Sequence, residues 1–170
     1  MDPLLILLRV VHIGLGVFWA GAVFFTAFFL APALADAGPD GAKVAAGLMR
    51  RRLLETLPIV AILTILSGLW LYWRASVGFQ PAYMRSSVGM TYGIGAASAI
   101  IALALGFAIV RPAMAKAMQL TQSAASAAPA ERDAQLAAAQ AARVRGAKAT
   151  QVVTILIGIA VVAMAIGRYM

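Results

Sequence analysis

The chain has 170 residues, 63% hydrophobic and 12% charged, with a net charge of +8 and no cysteine. A soluble domain of this size must cover itself with polar groups, which this composition cannot do, so it reads as a chain dissolved in lipid. The missing cysteine excludes a disulfide framework, a thiolate metal site and a thiol nucleophile. The basic residues flank apolar runs instead of forming a patch with interleaved aromatics, so they serve topology and headgroup contact, not nucleic acid.

Crossing roughly 30 Å of hydrocarbon takes about 20 helical residues. Four runs meet that length, at about Leu4 to Leu34, Leu53 to Trp73, Val88 to Val110 and Thr150 to Tyr169. They are long and continuous, without the apolar–polar alternation of barrel strands, so helices are predicted. The expected fold is all-α: an integral membrane four-helix antiparallel bundle in one domain, with a helical cytoplasmic extension between helices three and four.

The first run opens with Asp2 where a leader would carry basic residues, and it is too long for a leader's apolar core. Ala33-Leu34-Ala35 is therefore read inside a permanent helix. Asp36, Gly38, Pro39, Asp40 and Gly41 follow and predict a turn-rich loop. Span two begins after Arg51 and Arg52, with Glu55 one turn on to neutralise them. Pro58 falls in its first turns, and Trp70, Tyr72 and Trp73 close it.

Span three carries Gly89, Gly93, Ala97 and Ala104 on one side, widened by Gly95, Ala99 and Gly106. Such a face suits close packing within the chain or docking to another membrane protein. The segment from Pro112 to Ala149 is rich in alanine and glutamine, which favours helix. A turn near Ser123 to Pro129 is predicted, with Pro129 in the first turn of the returning helix and Ser126 as a possible cap. A disordered loop is the competing reading, because alanine-rich helices are marginal without packing. Pro32-Ala33-Leu34-Ala35 and Pro112-Ala113-Met114-Ala115 form a faint internal repeat.

Ten basic residues fall in the loops between spans one and two and between three and four, against four (Arg9, Arg74, Arg85 and Arg168) on the other side. The positive-inside rule then puts both loops in the cytoplasm. The expected location is a bacterial inner (cytoplasmic) membrane with both termini periplasmic.

Helix one holds the candidate chemistry. His12, Gly16 and Trp19 stand at i, i+4 and i+7 and share a face. An intramembrane imidazole must be hydrogen-bonded, ligated or facing water. Gly16 lets a flat ligand or another backbone approach, and a mid-span Trp19 wants a partner for its indole N–H. Met90 and Met164 map to the same outer half as His12, and thioether with imidazole suits Cu(I), although methionine is also ordinary apolar filler. The carboxylates sit at turns and helix starts, so no catalytic residues are assigned.

Arg9-Val10-Val11-His12 through Phe18-Trp19-Ala20-Gly21, then Pro32, resembles the first helix of the CopD-like membrane proteins, the superfamily of copper resistance protein D. The following Ser67-Gly68-Leu69 fits it more loosely, and Ala22 stands where the family often has a second glycine. The resemblance implies copper handling or haem, with His12 as ligand. The chain has one histidine, so a haem b would need Met, water or a second protein as its other axial ligand. Two functions remain open. One is a non-enzymatic membrane subunit that packs against and stabilises or assembles a larger complex. The other is a haem- or copper-binding protein using His12. Expected partners are the lipid bilayer and other membrane subunits or a second copy.

Overall fold

The computed structural model describes residues 2–170, and it is helical nearly throughout with no strand among them. Helix α1 spans Pro3–Phe25 and opens with Pro3 at its first position and Asp2 accepting from the Leu4 N–H at 3.0 Å. Proline there loses no intrahelical bond, and the carboxylate satisfies a donor that helix geometry leaves free. A wider π-turn at Thr26–Leu30 passes into α2, Ala31–Asp36, without a break. Helix α3 is Gly38–Arg50, α4 is Leu53–Ala75 and α5 is a single turn at Pro81–Met84. Helix α6, Ser87–Leu105, runs through a second π-turn, Gly106–Val110, into α7, Arg111–Ala124. Helix α8 is the longest, Pro129–Ile166, and ends in a 3₁₀ turn at Gly167–Tyr169.

Four of these helical stretches are long and apolar enough to cross a membrane: Pro3–Asp36, Glu55–Ala75, Ser87–Ala124 and Pro129–Tyr169. Each overlaps one of the four predicted runs, and the third and fourth are longer than those runs because their helices continue to Ala124 and begin at Pro129. All four meet at one cluster, where Trp19 and Ala20 of α1 pack with Ala61 of α4, Ala102 of α6 and Val153 and Ile157 of α8. Contact is densest between α1 and α4 and between α8 and the α6–α7 helix, while α4 with α6 and α1 with α8 touch more lightly. Outside the seams the surface is apolar: Val10, Val17, Phe25, Phe28 and Phe29 of the first helix are all more than half exposed. In lipid such exposure carries no hydrophobic penalty, and helices associate through close packing and interhelical hydrogen bonds.

The two π-turns have a shared physical cause. Each is followed, one residue on, by a proline: Pro32 after Ala31 and Pro112 after Arg111. Proline has no N–H to donate, and its ring clashes with the carbonyl four residues back in a regular α-turn. The wider turn makes room, and its closing bonds run from Ala31 N–H to the Thr26 carbonyl and from Arg111 N–H to the Gly106 carbonyl. The faint repeat at Pro32 and Pro112 thus has a backbone counterpart, because the two turns lie 80 residues apart.

The segment between spans one and two corrects the expectation of a turn-rich loop. Asp36 ends α2, and Asp40 lies in the first turn of α3, where negative charge is favourable. Only Ala37 separates the helices, and Gly38 takes the left-handed conformation (φ +53°) that lets the chain reverse. Gly41 abuts the Leu34 carbonyl, so α2 and α3 pack backbone to backbone. Glu55 pairs with Arg52 at 3.7 Å, as its spacing suggests, but both side chains are exposed and the pair adds little.

The segment after span three is helical on both sides of a short turn, as predicted. Pro129 occupies the first turn of α8, but its cap is Ala128, not Ser126. The Ser126 hydroxyl instead donates to the Ser123 carbonyl at 3.3 Å inside the turn. Helices α7 and α8 join along small residues, with Ala113, Ala117 and Ala124 buried on one side and Ala139, Gly146 and Ala149 on the other. Packing thus supplies what an alanine-rich helix lacks alone. The Arg143 guanidinium donates to the Thr121 hydroxyl across this seam at 2.9 Å.

Candidate functional site

His12, Gly16 and Trp19 share one face of α1, as their spacing predicts, and contacts with α4 and the central cluster turn that face into the bundle. The imidazole Nδ1 of His12 lies 2.8 Å from the Thr64 carbonyl oxygen of α4. A carbonyl only accepts, so Nδ1 carries the proton and donates. In the neutral ring this leaves the lone pair on Nε2. The ring stacks over Gly68, one turn beyond Thr64. A Cβ added at Gly68 would stand 2.5 Å from His12 Cε1 and 2.9 Å from Nδ1. Glycine at this position is what admits the histidine.

Gly16 faces the same turn of α4, and a Cβ there would meet Thr64 Cγ2 at 3.5 Å, an ordinary van der Waals contact. The partner that approaches Gly16 in the structure is therefore the neighbouring helix. Trp19, 7% exposed, anchors the central cluster one turn deeper. Ser67 completes the polar knot: its hydroxyl donates to the Leu63 carbonyl at 2.7 Å and shares the Thr64 carbonyl at 3.0 Å. Thr64 turns its own hydroxyl to the Val60 carbonyl at 2.8 Å. A preference for Gly68 and Ser67 opposite His12 was not derivable from periodicity, which assigns a face but not the residue across from it.

The two methionines lie elsewhere. Met164 belongs to the α6–α8 seam, where its Cε would stand 3.0 Å from a Cβ on Gly95. Met90 is 53% exposed. Among the described residues there is no group of three or more His, Asp or Glu side chains placed to hold a metal ion. The small-residue side of α6 is divided between several roles. Gly95 packs on Ala163, Gly93 lies near the Tyr72 hydroxyl, and Gly89 abuts the Tyr83 carbonyl, while Ala97 and Ala104 remain exposed.

A second ordered region lies around the turn after α4. Tyr72 donates to the Gly89 carbonyl at 2.9 Å, and its ring meets Phe79 and Tyr83 with centroids 6.0 and 6.1 Å away. Val77, Gly78 and Phe79 all take positive φ, a strained run for non-glycine residues. Fully buried Ser76 holds it: its hydroxyl accepts from the Phe79 N–H at 2.9 Å and donates to the Trp73 carbonyl at 3.2 Å. Burial, and then the neighbouring Tyr92 and Tyr72, push the Tyr83 hydroxyl above its ordinary pKa of 10.0. Arg74 reaches Asp2 at 3.7 Å, so this turn and the start of α1 share one end of the molecule.

Comparison with protein-family models, with curated proteins and with solved structures returns no match to this chain.

Proposed function

We propose that this chain is a non-enzymatic membrane subunit that packs against a larger membrane complex and stabilises or assembles it. The carrying observation is where the polar groups of the spans go. His12, Thr64, Ser67, Tyr72, Thr91 and Thr154 each bond to a backbone carbonyl of the chain itself. They tie helices to themselves and to one another, while the outer faces stay apolar and aromatic. This is a division of labour suited to docking in lipid. In this reading the spans form an antiparallel bundle in a bacterial inner membrane. The pairs Asp2–Arg74 and His12–Thr64 support that order, since position rises along one helix as it falls along the other. The α7–α8 hairpin is then the cytoplasmic extension, and both termini are periplasmic.

The CopD-like resemblance supports a second reading, a haem b or copper protein with His12 as ligand. One observation favours it. The Thr64 carbonyl fixes the ring through Nδ1, as carbonyls orient histidine ligands in metal sites, and leaves Nε2 as the donor atom. The donor set fits only in part, because Met164 packs in the other seam and any further ligand must come from outside this one.

Native mass spectrometry of the protein taken gently from its own membrane decides between the two. A bare chain found within a larger assembly, with assembly retained in His12→Ala, is the expected result. Haem or copper mass that disappears in His12→Ala overturns the first reading in favour of the second.

A further inference from the structure

We infer that the junction of α8 with the second π-turn is a binding site for one anionic phospholipid. A groove there is lined by Leu105 and Ile109 on one wall and by Arg145, Lys148, Ala149 and Val152 of α8 on the other. Its chemistry is divided along its length. The Leu105, Ile109, Ala149 and Val152 part is wholly apolar and runs into the membrane-length portions of both helices. Arg145 and Lys148 line the groove almost only through their aliphatic stems, and their charged ends project beyond one end of it, three residues apart and hence on neighbouring positions of one helical face. Both are exposed, and neither takes part in any of the ion pairs among the described residues. The acidic residues of α8, Glu131 and Asp133, lie three or more turns away along the helix.

An occupant must therefore be anionic at one end and apolar beyond it. A phospholipid with a net negative headgroup has that form: its phosphate takes charge-assisted hydrogen bonds from Arg145 and Lys148, and one acyl chain follows the groove. A water-soluble anion would use the cations and leave the apolar walls empty. Leu105 and Ile109 stand four residues apart across the start of the wider turn and form one wall of the groove together. The site depends on membrane insertion and not on either reading of His12.

The test uses the full chain in detergent, titrated with phosphatidylglycerol, phosphatidylethanolamine and phosphatidylcholine and read by native mass spectrometry. One tightly held phosphatidylglycerol is expected, with the two other lipids weaker. Arg145→Gln with Lys148→Gln should weaken it about thirty-fold, the effect of two basic residues at an anionic headgroup. The charge-matched control Lys116→Gln with Arg132→Gln should stay within about twofold. Val152→Trp, which fills the groove without changing charge, should also lower binding, and inorganic phosphate should not compete. Equal losses in both charge variants overturn the proposal in favour of diffuse attraction. Full binding in Val152→Trp, or displacement by phosphate, overturns it in favour of a bare anion site.

Discussion

Replacing Gly68 by alanine tests whether the His12 imidazole occupies the space described. The added methyl would stand 2.5 Å from Cε1, closer than any real contact, so the ring must move. If it is compressed in place, overpacking costs about 1–3 kcal/mol. If it swings away, it forfeits the bond to the Thr64 carbonyl, worth about 0.6–1 kcal/mol within a membrane. Alanine also favours helix over glycine by up to about 1 kcal/mol, which would mask part of the loss. Gly16→Ala is the internal control, since it carries the same helix gain and meets Thr64 Cγ2 at a comfortable 3.5 Å. The difference between the two variants isolates the ring, and Gly68→Ala should be less stable by about 0.6–3 kcal/mol. Reversible unfolding in mixed detergent micelles measures it. The pair Gly68→Ala and His12→Ala should recover part of the loss, because removing the ring frees the space. Equal stabilities for Gly68→Ala and Gly16→Ala would refute the placement of His12.

Two further outcomes follow from the turn after α4, at the same end of the bundle. Gly89→Ala should cost about 3 kcal/mol or more in the same assay, because its methyl would strike the Tyr83 carbonyl and come within 3.0 Å of Met84 Cα, which as backbone cannot swing aside. A raised Tyr83 pKa means that the fold favours the neutral phenol, so the unfolded chain releases the proton first. Stability from this group is complete below pH 10.0 and falls as pH rises through the folded value. Melting temperature followed from pH 9 to 12 should drop less steeply in Tyr83→Phe, and identical slopes would contradict the assignment.

The four spans were legible because lipid imposes one demand, a long unbroken apolar run, and the chain meets it four times. Pro129 in the first turn of α8 and the shared face of His12, Gly16 and Trp19 follow from local geometry, which is why they could be read. The helix at Gly38–Arg50 was missed for a local reason as well. Gly38, Pro39 and Asp40 are turn formers and helix starters alike, and a single sequence does not choose between those roles. The His12–Thr64 bond and the Gly68 cradle were beyond reach for a different reason. They join residues 52 and 56 positions apart, and periodicity carries no information about the opposing helix.

The turn at Gly106–Val110 has a consequence for how this helix tolerates change. A wider turn takes up one more residue than an α-turn, and each residue of an α-helix advances the azimuth by about 100°. Straightening it at constant length would rotate everything downstream by one position. Pro112, Lys116 and Ser123 would then face α8 where Ala113, Ala117 and Ala124 now fit, setting a lysine against the small residues of that seam. Loss of one residue from the turn is the gentler change, since the downstream frame is kept. In this helix, a shortened gene is less harmful than a straightened backbone.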